Sequence, residues 1–137
     1  MSKIENAIQM FNYSYGYYGK ILTQIKFQLS KLNNHLFLYN ITDNPFCPWC
    51  HDCVEDTQHF FYSCDAYTNA RTQLLISLTE CLNCFKVTNL RVNDPSSMIG
   101  LILDGVKLND KQLTCDINKR IFSIVRTFVK TTNRFGK

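Results

Sequence analysis

The sequence predicts a mainly α fold, a small helical domain organised around one structural zinc knuckle, and three features carry that expectation. Between Cys47 and Cys64 the chain reads Cys-Pro-Trp-Cys, then eight residues, then His-Phe-Phe-Tyr-Ser-Cys. Three thiols and an imidazole at that spacing suit one tetrahedral zinc ion, which favours soft thiolate sulfur and imidazole nitrogen. Two stretches, Lys20 to Leu38 and Leu113 to Thr132, repeat apolar residues at the period of a helix.

Taken in order, Ile21, Ile25, Leu29 and Leu32 fall at intervals of four, four and three. With Leu22, Phe27, Leu36 and Phe37 widening the apolar surface, they predict one long first helix over Lys20 to Leu38. The Asn44-Pro45 step marks a turn that delivers Cys47. Glu55 and Asp56 predict the opening of a second helix, because acids there meet free amides and the positive end of the helix dipole. That helix carries His59 towards Cys64. Residues five apart stand about 140° apart on an ideal helix, so Cys64 is expected where this helix ends or unwinds. A third helix is expected from about Tyr67 to Leu82, with Ala70, Leu74, Leu75 and Leu78 on its apolar face. Val87 to Ser97, containing Asn93-Asp94-Pro95, reads as loop, Ser97 to Leu103 as a short helix, and Asp104-Gly105 as a turn. Leu113 to Thr132 is the final helix, with Ile117, Ile121, Ile124, Val125 and Phe128 facing inward.

At 137 residues and 45% hydrophobic content, with 10 Phe and 7 Tyr, the chain has the material for one domain core. Met1 to Lys20 holds no uninterrupted apolar run of the signal-peptide kind, so the seven cysteines are expected as reduced thiols of an intracellular chain. Asn12-Tyr13-Ser14 and Asn40-Ile41-Thr42 are then not expected to carry glycans. No stretch approaches the roughly 18 apolar residues of a membrane span, and no membrane partner is expected.

The net charge of +4 is unevenly spread. Residues 41–70 hold five acids and no Lys or Arg, whereas residues 119–137 hold six Lys or Arg and no acid. A divalent cation on three thiolates and a neutral imidazole leaves a centre of charge −1, so the knuckle repels a phosphate backbone. Contacts to RNA or DNA are expected from the flanks. Lys119, Arg120, Arg126 and Lys130 fall on the side of the last helix away from its apolar residues and are the candidate nucleic-acid-binding residues. The plainer reading of that row is a solvated face that keeps the domain soluble.

Other ligand-type residues carry plainer readings too. His51 and Cys53 lie inside the knuckle loop as alternative ligands, and a solvent-facing loop role is the simpler assignment. Cys81-Leu82-Asn83-Cys84 has redox or half-site spacing, but no second pair follows, so these read as helix-end thiols. Cys115 reads as a small core residue and His35 as a hydrogen-bonded helix histidine. Trp49, between two ligands, either covers the metal or stacks on a base.

The run Leu22-Thr23-x-Ile25-Lys26, Ser30-x-Leu32-Asn33-x-His35-Leu36-Phe37, Asn44-Pro45-x-Cys47-Pro48-x-Cys50, Glu55-Asp56-Thr57-x-His59-Phe60 and Cys64 resembles a known region. It is similar to the zinc-binding region downstream of the polymerase in non-LTR retrotransposon reverse transcriptases. Tyr67-x-x-x-Arg71 and the closing stretch from Ile121-Phe122 to Arg134-Phe135 agree with it. The resemblance covers about residues 20 to 135 and leaves residues 1–19 as an N-terminal extension. It implies the same zinc ligands, Cys47, Cys50, His59 and Cys64.

A polymerase palm needs paired aspartates for two metal ions, and this chain has no Asp-Asp pair and is too short for a palm. No ribonuclease H type carboxylate cluster is recognisable either. The resulting expectation is a non-catalytic zinc-binding accessory domain, in a fragment or remnant of a mobile element, that meets nucleic acid through the basic flanks of residues 20–31 and 119–137. The alternative is a structural or protein-interaction module left from a truncated element. The run from Phe11 to Tyr18 serves either, by stacking on bases or by covering an apolar face. A catalytic zinc enzyme ranks third, because all four ligand positions are filled.

Overall fold

The computed structural model describes residues 16–136. Among the described residues five α-helices follow in order: α1 Tyr17–Lys26, α2 Asn33–Leu38, α3 Thr68–Cys84, α4 Pro95–Asp104 and α5 Lys111–Thr132. A π turn, His59–Ser63, and a 3-10 turn, Asp65–Tyr67, stand between α2 and α3. No strand forms among these residues, and Phe46 and Val54 make one isolated antiparallel bridge. The fold is mainly α, as the periodicity predicts.

The long helix expected over Lys20 to Leu38 is instead two helices. α1 stops at Lys26, and Gln28 takes a left-handed φ of 59°. Ser30, itself buried, then uses its hydroxyl twice, accepting from the Leu32 N–H at 3.1 Å and bonding His35 Nδ1 at 2.7 Å. Serine offers the backbone a partner outside the helix ladder, which is how it interrupts one. Leu29, placed inward by the apolar period, is therefore exposed, and so is Phe37. α2 closes on Asn40 at φ 59°, with the Ile41 N–H bonding the Leu36 carbonyl at 2.9 Å and the Asn40 N–H bonding that of Phe37 at 3.1 Å. This pair of bonds satisfies carbonyls that the helix end would otherwise leave open.

α1 begins three residues before the boundary drawn at Lys20, and the Tyr17 hydroxyl donates to the Phe135 carbonyl. The helical body thus includes the turn Tyr17–Gly19. Asn12 and the run from Phe11 to Tyr15 lie outside the described residues.

α3 and α5 pack along each other and form the spine of the core. Leu74, Leu78, Cys81 and Leu82 of α3 and Ile117, Ile121, Phe122, Val125, Phe128 and Val129 of α5 are all buried in one cluster. Ala70, Leu75 and Ile124, also placed inward by the periodicity, are half-buried. α4 is longer than its expected span because Asp94 caps it and Pro95 opens it. The Asp94 carboxylate accepts from the Ser97 N–H at 3.1 Å, and proline at a first helical position surrenders no bond. Gly105, at φ 69°, turns the chain out of α4. Buried Asn118 of α5 then holds Val106 through both its N–H and its carbonyl, each at 2.9 Å. All seven cysteines are free thiols, and no helix of the described residues is long and apolar enough to cross a membrane.

Candidate metal centre

The knuckle loop folds on itself first. The Cys47 N–H donates to the Cys53 carbonyl at 2.8 Å, the His51 N–H donates to the Cys47 carbonyl at 3.0 Å, and His51 itself takes φ 62°. The Asp52 N–H points at Cys50 Sγ and, aided by that of Cys53, holds the Cys50 thiol below its usual range against the opposing effect of burial.

The second half of the site is delivered by the π turn. Asp56 caps it, its carboxylate accepting the His59 N–H at 2.8 Å. The Cys64 N–H then bonds the His59 carbonyl at 2.9 Å, a bond across five residues that an α-helix does not make. The wider turn brings Cys64 round to His59, and Cys64 leaves it in an extended conformation at φ −70°, ψ 122°. Arg71 secures the far side, its guanidinium donating to the Cys64 carbonyl and, at 3.4 Å, to that of Phe61.

Cys47 Sγ and Cys64 Sγ stand 3.8 Å apart, Cys50 Sγ and His59 Nε2 stand 3.4 Å apart, and all four donor atoms lie within 4.8 Å of one another. Sulfurs held about 2.3 Å from a tetrahedral zinc are themselves about 3.8 Å apart, so this donor set fits such an ion as it stands. The ion would be held by Cys47, Cys50, His59 and Cys64, where it would tie the knuckle loop to the π turn. Cys47, His59 and Cys64 are buried and Cys50 is half-buried. Burial pushes the Cys64 thiol up to about 12, with the Ala66 N–H opposing. The buried Tyr67 hydroxyl, raised above its usual pKa by burial, has no hydrogen-bond partner among the described residues and lies in the field of Glu55, Cys47 and Cys64. That orphaned donor suits a site whose sulfurs become thiolate acceptors on metal binding.

No protein-family model, curated protein or solved structure matches the chain.

The four ligands expected from the sequence are the four that come together. His51 and Cys53 are exposed in the knuckle loop, Cys81 is buried, Cys84 is exposed and Cys115 is half-buried, all outside the cluster. His35 is a buried helix histidine, bonded to Ser30 Oγ and, at 3.3 Å, to Thr57 Oγ1. Trp49 is 56% exposed and walls a surface recess with Asp65, Thr68 and Thr131.

Glu55 departs most from its expected role. It does not open a helix to solvent. Its carboxylate is wholly buried, accepting from Arg134 Nε and Nη2 and from the Asn33 N–H, each at 2.7 Å. Arg134 also donates to the Lys31 carbonyl at 3.0 Å, which fastens the chain beyond α5 to both the knuckle and the start of α2. Lys26 is likewise taken up in an ion pair with Asp104, its side chain 7% exposed. Two cations counted in the basic flanks therefore serve the interior.

Lys119, Arg120, Arg126 and Lys130 are all exposed on α5, and none pairs with a carboxylate among the described residues. At about 100° per residue, Lys119, Arg126 and Lys130 fall within about 40° of one another. Arg120 lies about 100° from Lys119, and its charge acts on the thiol of Cys81, which burial raises. The Arg126 guanidinium stands 5.4 Å from the centre of the Tyr18 ring, a cation–π geometry.

Proposed function

We propose that this chain is a zinc-stabilised, non-catalytic accessory domain of the kind found in non-LTR retrotransposon reverse transcriptases, binding RNA or DNA through the cationic row of α5. The observation that carries this reading is the stripe of Lys119, Arg126 and Lys130, exposed on one face and free of carboxylate partners among the described residues. Zinc is the ion that three thiolates and one imidazole favour. With four protein ligands the ion has no open position for substrate, which supports a structural role. The acidic knuckle and the internal use of Lys26 and Arg134 concentrate phosphate contact on α5.

Binding of the zinc-loaded protein to labelled RNA across a salt series tests this. The affinity is expected to fall steeply with salt, with a log–log slope of roughly −0.7 to −0.9 per phosphate neutralised. Changing Lys119, Arg126 and Lys130 together to alanine is expected to flatten the slope by about two to three. Absence of binding at low salt would sink the reading.

One observation favours the alternative of a protein-interaction module. Phe37, Tyr39, Ile41, Phe46 and Val54 are exposed around α2 and the knuckle, beside exposed Asp43 and Asp52. An apolar surface with an acidic rim suits a partner protein rather than a phosphate backbone. Concentration-dependent self-association, together with no affinity for RNA or DNA, is the outcome that would prefer it.

A further inference from the structure

We infer that the groove between α3 and α5 binds a single nucleic-acid strand, with its bases along the groove and on Trp49 and its phosphates on the α5 cations. The inference rests on the nucleic-acid reading above and names the form of the ligand.

The groove is a recess of about 450 Å³ whose rims are Asn69, Gln73 and Ser77 of α3 and Ser123, Thr127 and Thr131 of α5. It runs into a second recess of about 390 Å³ through shared Asn69, Ala70 and Thr131, and that recess ends at the exposed ring of Trp49. Two of its hydroxyls have a definite sense. Thr127 Oγ1 donates to the Ser123 carbonyl at 3.0 Å and Thr131 Oγ1 donates to the Thr127 carbonyl at 2.7 Å. Their protons are spent on their own helix, so these two hydroxyl oxygens remain as acceptors, while Asn69, Gln73, Ser77 and Ser123 can both donate and accept. Acceptors repel phosphate oxygens and match the N–H groups of bases. Asp65, beside Trp49, is the one charged side chain in the lining of the two recesses.

Charge lies beside this track. Lys119, Arg126 and Lys130 run parallel to Ser123, Thr127 and Thr131 about 80° round α5, and Arg120 stands in line with the rim at the end away from Trp49. From Arg120 to Thr131 the helix extends about 16 Å. A single strand offers phosphates to the row and unstacked bases to the groove and to Trp49. A duplex keeps its base faces stacked inside and offers the row its phosphates alone.

Trp49 is the sole tryptophan of the chain, so its fluorescence reads the end of the groove directly. The zinc-loaded protein is titrated with a single-stranded oligouridylate and with an RNA duplex of equal length, following both Trp49 emission and the anisotropy of the labelled nucleic acid. The single strand is expected to quench Trp49 and to bind at least tenfold more tightly than the duplex. Trp49→Ala is expected to weaken strand binding about tenfold, the size of one stacked base, with duplex binding and zinc content unchanged and with Trp49→Phe restoring most of the loss. Asn69→Ala combined with Gln73→Ala, on α3 and away from the ligands, is expected to narrow the preference for the strand in the same direction. Equal, salt-sensitive binding of strand and duplex without quenching would overturn the groove and leave the phosphate reading standing. No binding of either would overturn both. A change in Trp49 emission with protein concentration alone would give the groove to a second copy of the chain.

Discussion

Cys64 is wholly buried and burial pushes its thiol up to about 12, so a metal ion taken up at neutral pH would have to displace its proton. His59 completes the set from the other end of the same turn, and neither residue has a substitute within the cluster. His59→Ala and Cys64→Ala are each expected to lose the metal, whereas Cys53→Ala and Cys81→Ala keep it, as measured by atomic emission on purified protein. Retained metal in the first two would overturn the ligand assignment. His35 makes a separate, titratable statement. Its burial lowers its pKa from 6.5, with the carboxylates of Asp56 and Glu55 opposing. A histidine with a lowered pKa in the fold takes up its proton first in the unfolded chain as pH falls. Its stabilisation is thus whole above about 6.5 and declines as pH drops through the lowered value. His35→Gln does not titrate. The stability difference between parent and variant in urea is therefore expected to shrink from pH 7.5 to pH 5.5, with the metal ligands cancelling in the comparison. A constant difference across that range would contradict a neutral, buried His35.

Among the elements, α3 and α5 were legible in the sequence because their apolar period runs unbroken and each buries one face against the other. The break between α1 and α2 was not, because the same period continues through Phe27, Leu29 and Leu32 while the interruption is made by one serine hydroxyl. The ligands were legible because donor chemistry and short spacing are local properties, but the π turn that joins His59 to Cys64 is a backbone choice that spacing only constrains. Glu55 was misread for a reason of distance, since its partner lies 79 residues away. Breaking that pair by Arg134→Met leaves a buried carboxylate with one N–H donor, and is expected to cost about 3–5 kcal/mol in chemical denaturation. Lys119→Met on the exposed row is expected to stay within about 0.5 kcal/mol. A loss below about 1 kcal/mol for Arg134→Met would mean that water reaches Glu55. The link between α4 and α5 depends on Gly105 in the same local way. A Cβ there would lie 2.5 Å from Asn118 Oδ1, at a φ that L side chains rarely adopt, so Gly105→Ala is expected to cost about 1–3 kcal/mol.

Over the whole molecule, the metal centre and the hydrophobic core share one piece of backbone. The π turn that presents His59 also presents Phe60 and Phe61, both fully buried, and the Phe60 ring meets those of Phe61, Tyr67, Phe128 and Phe135 at centroid distances between 4.9 and 5.6 Å. Four residues before His59, Glu55 binds Arg134 and the start of α2. An ion that fixes His59 against Cys47 and Cys64 therefore also fixes the ring cluster at the end of α5 and the cross-chain ion pair. Structural zinc contributes roughly 10–16 kcal/mol of apparent binding free energy, against a net stability of roughly 5–15 kcal/mol for a domain. Removal of a zinc ion held here should thus propagate beyond residues 41–66. A chelator at neutral pH is expected to lower the helical circular dichroism and to flatten the near-ultraviolet aromatic signal together, with zinc restoring both and magnesium, which prefers oxygen ligands, restoring neither. Were the knuckle an independent loop, the aromatic signal of Phe60, Tyr67 and Phe128 would survive chelation while only the residues around Cys47 and Cys50 lost protection from hydrogen exchange. The dense ring contacts of the π turn argue against that separation, because Phe60 cannot keep its place between Phe128 and Phe135 when the residue before it is released.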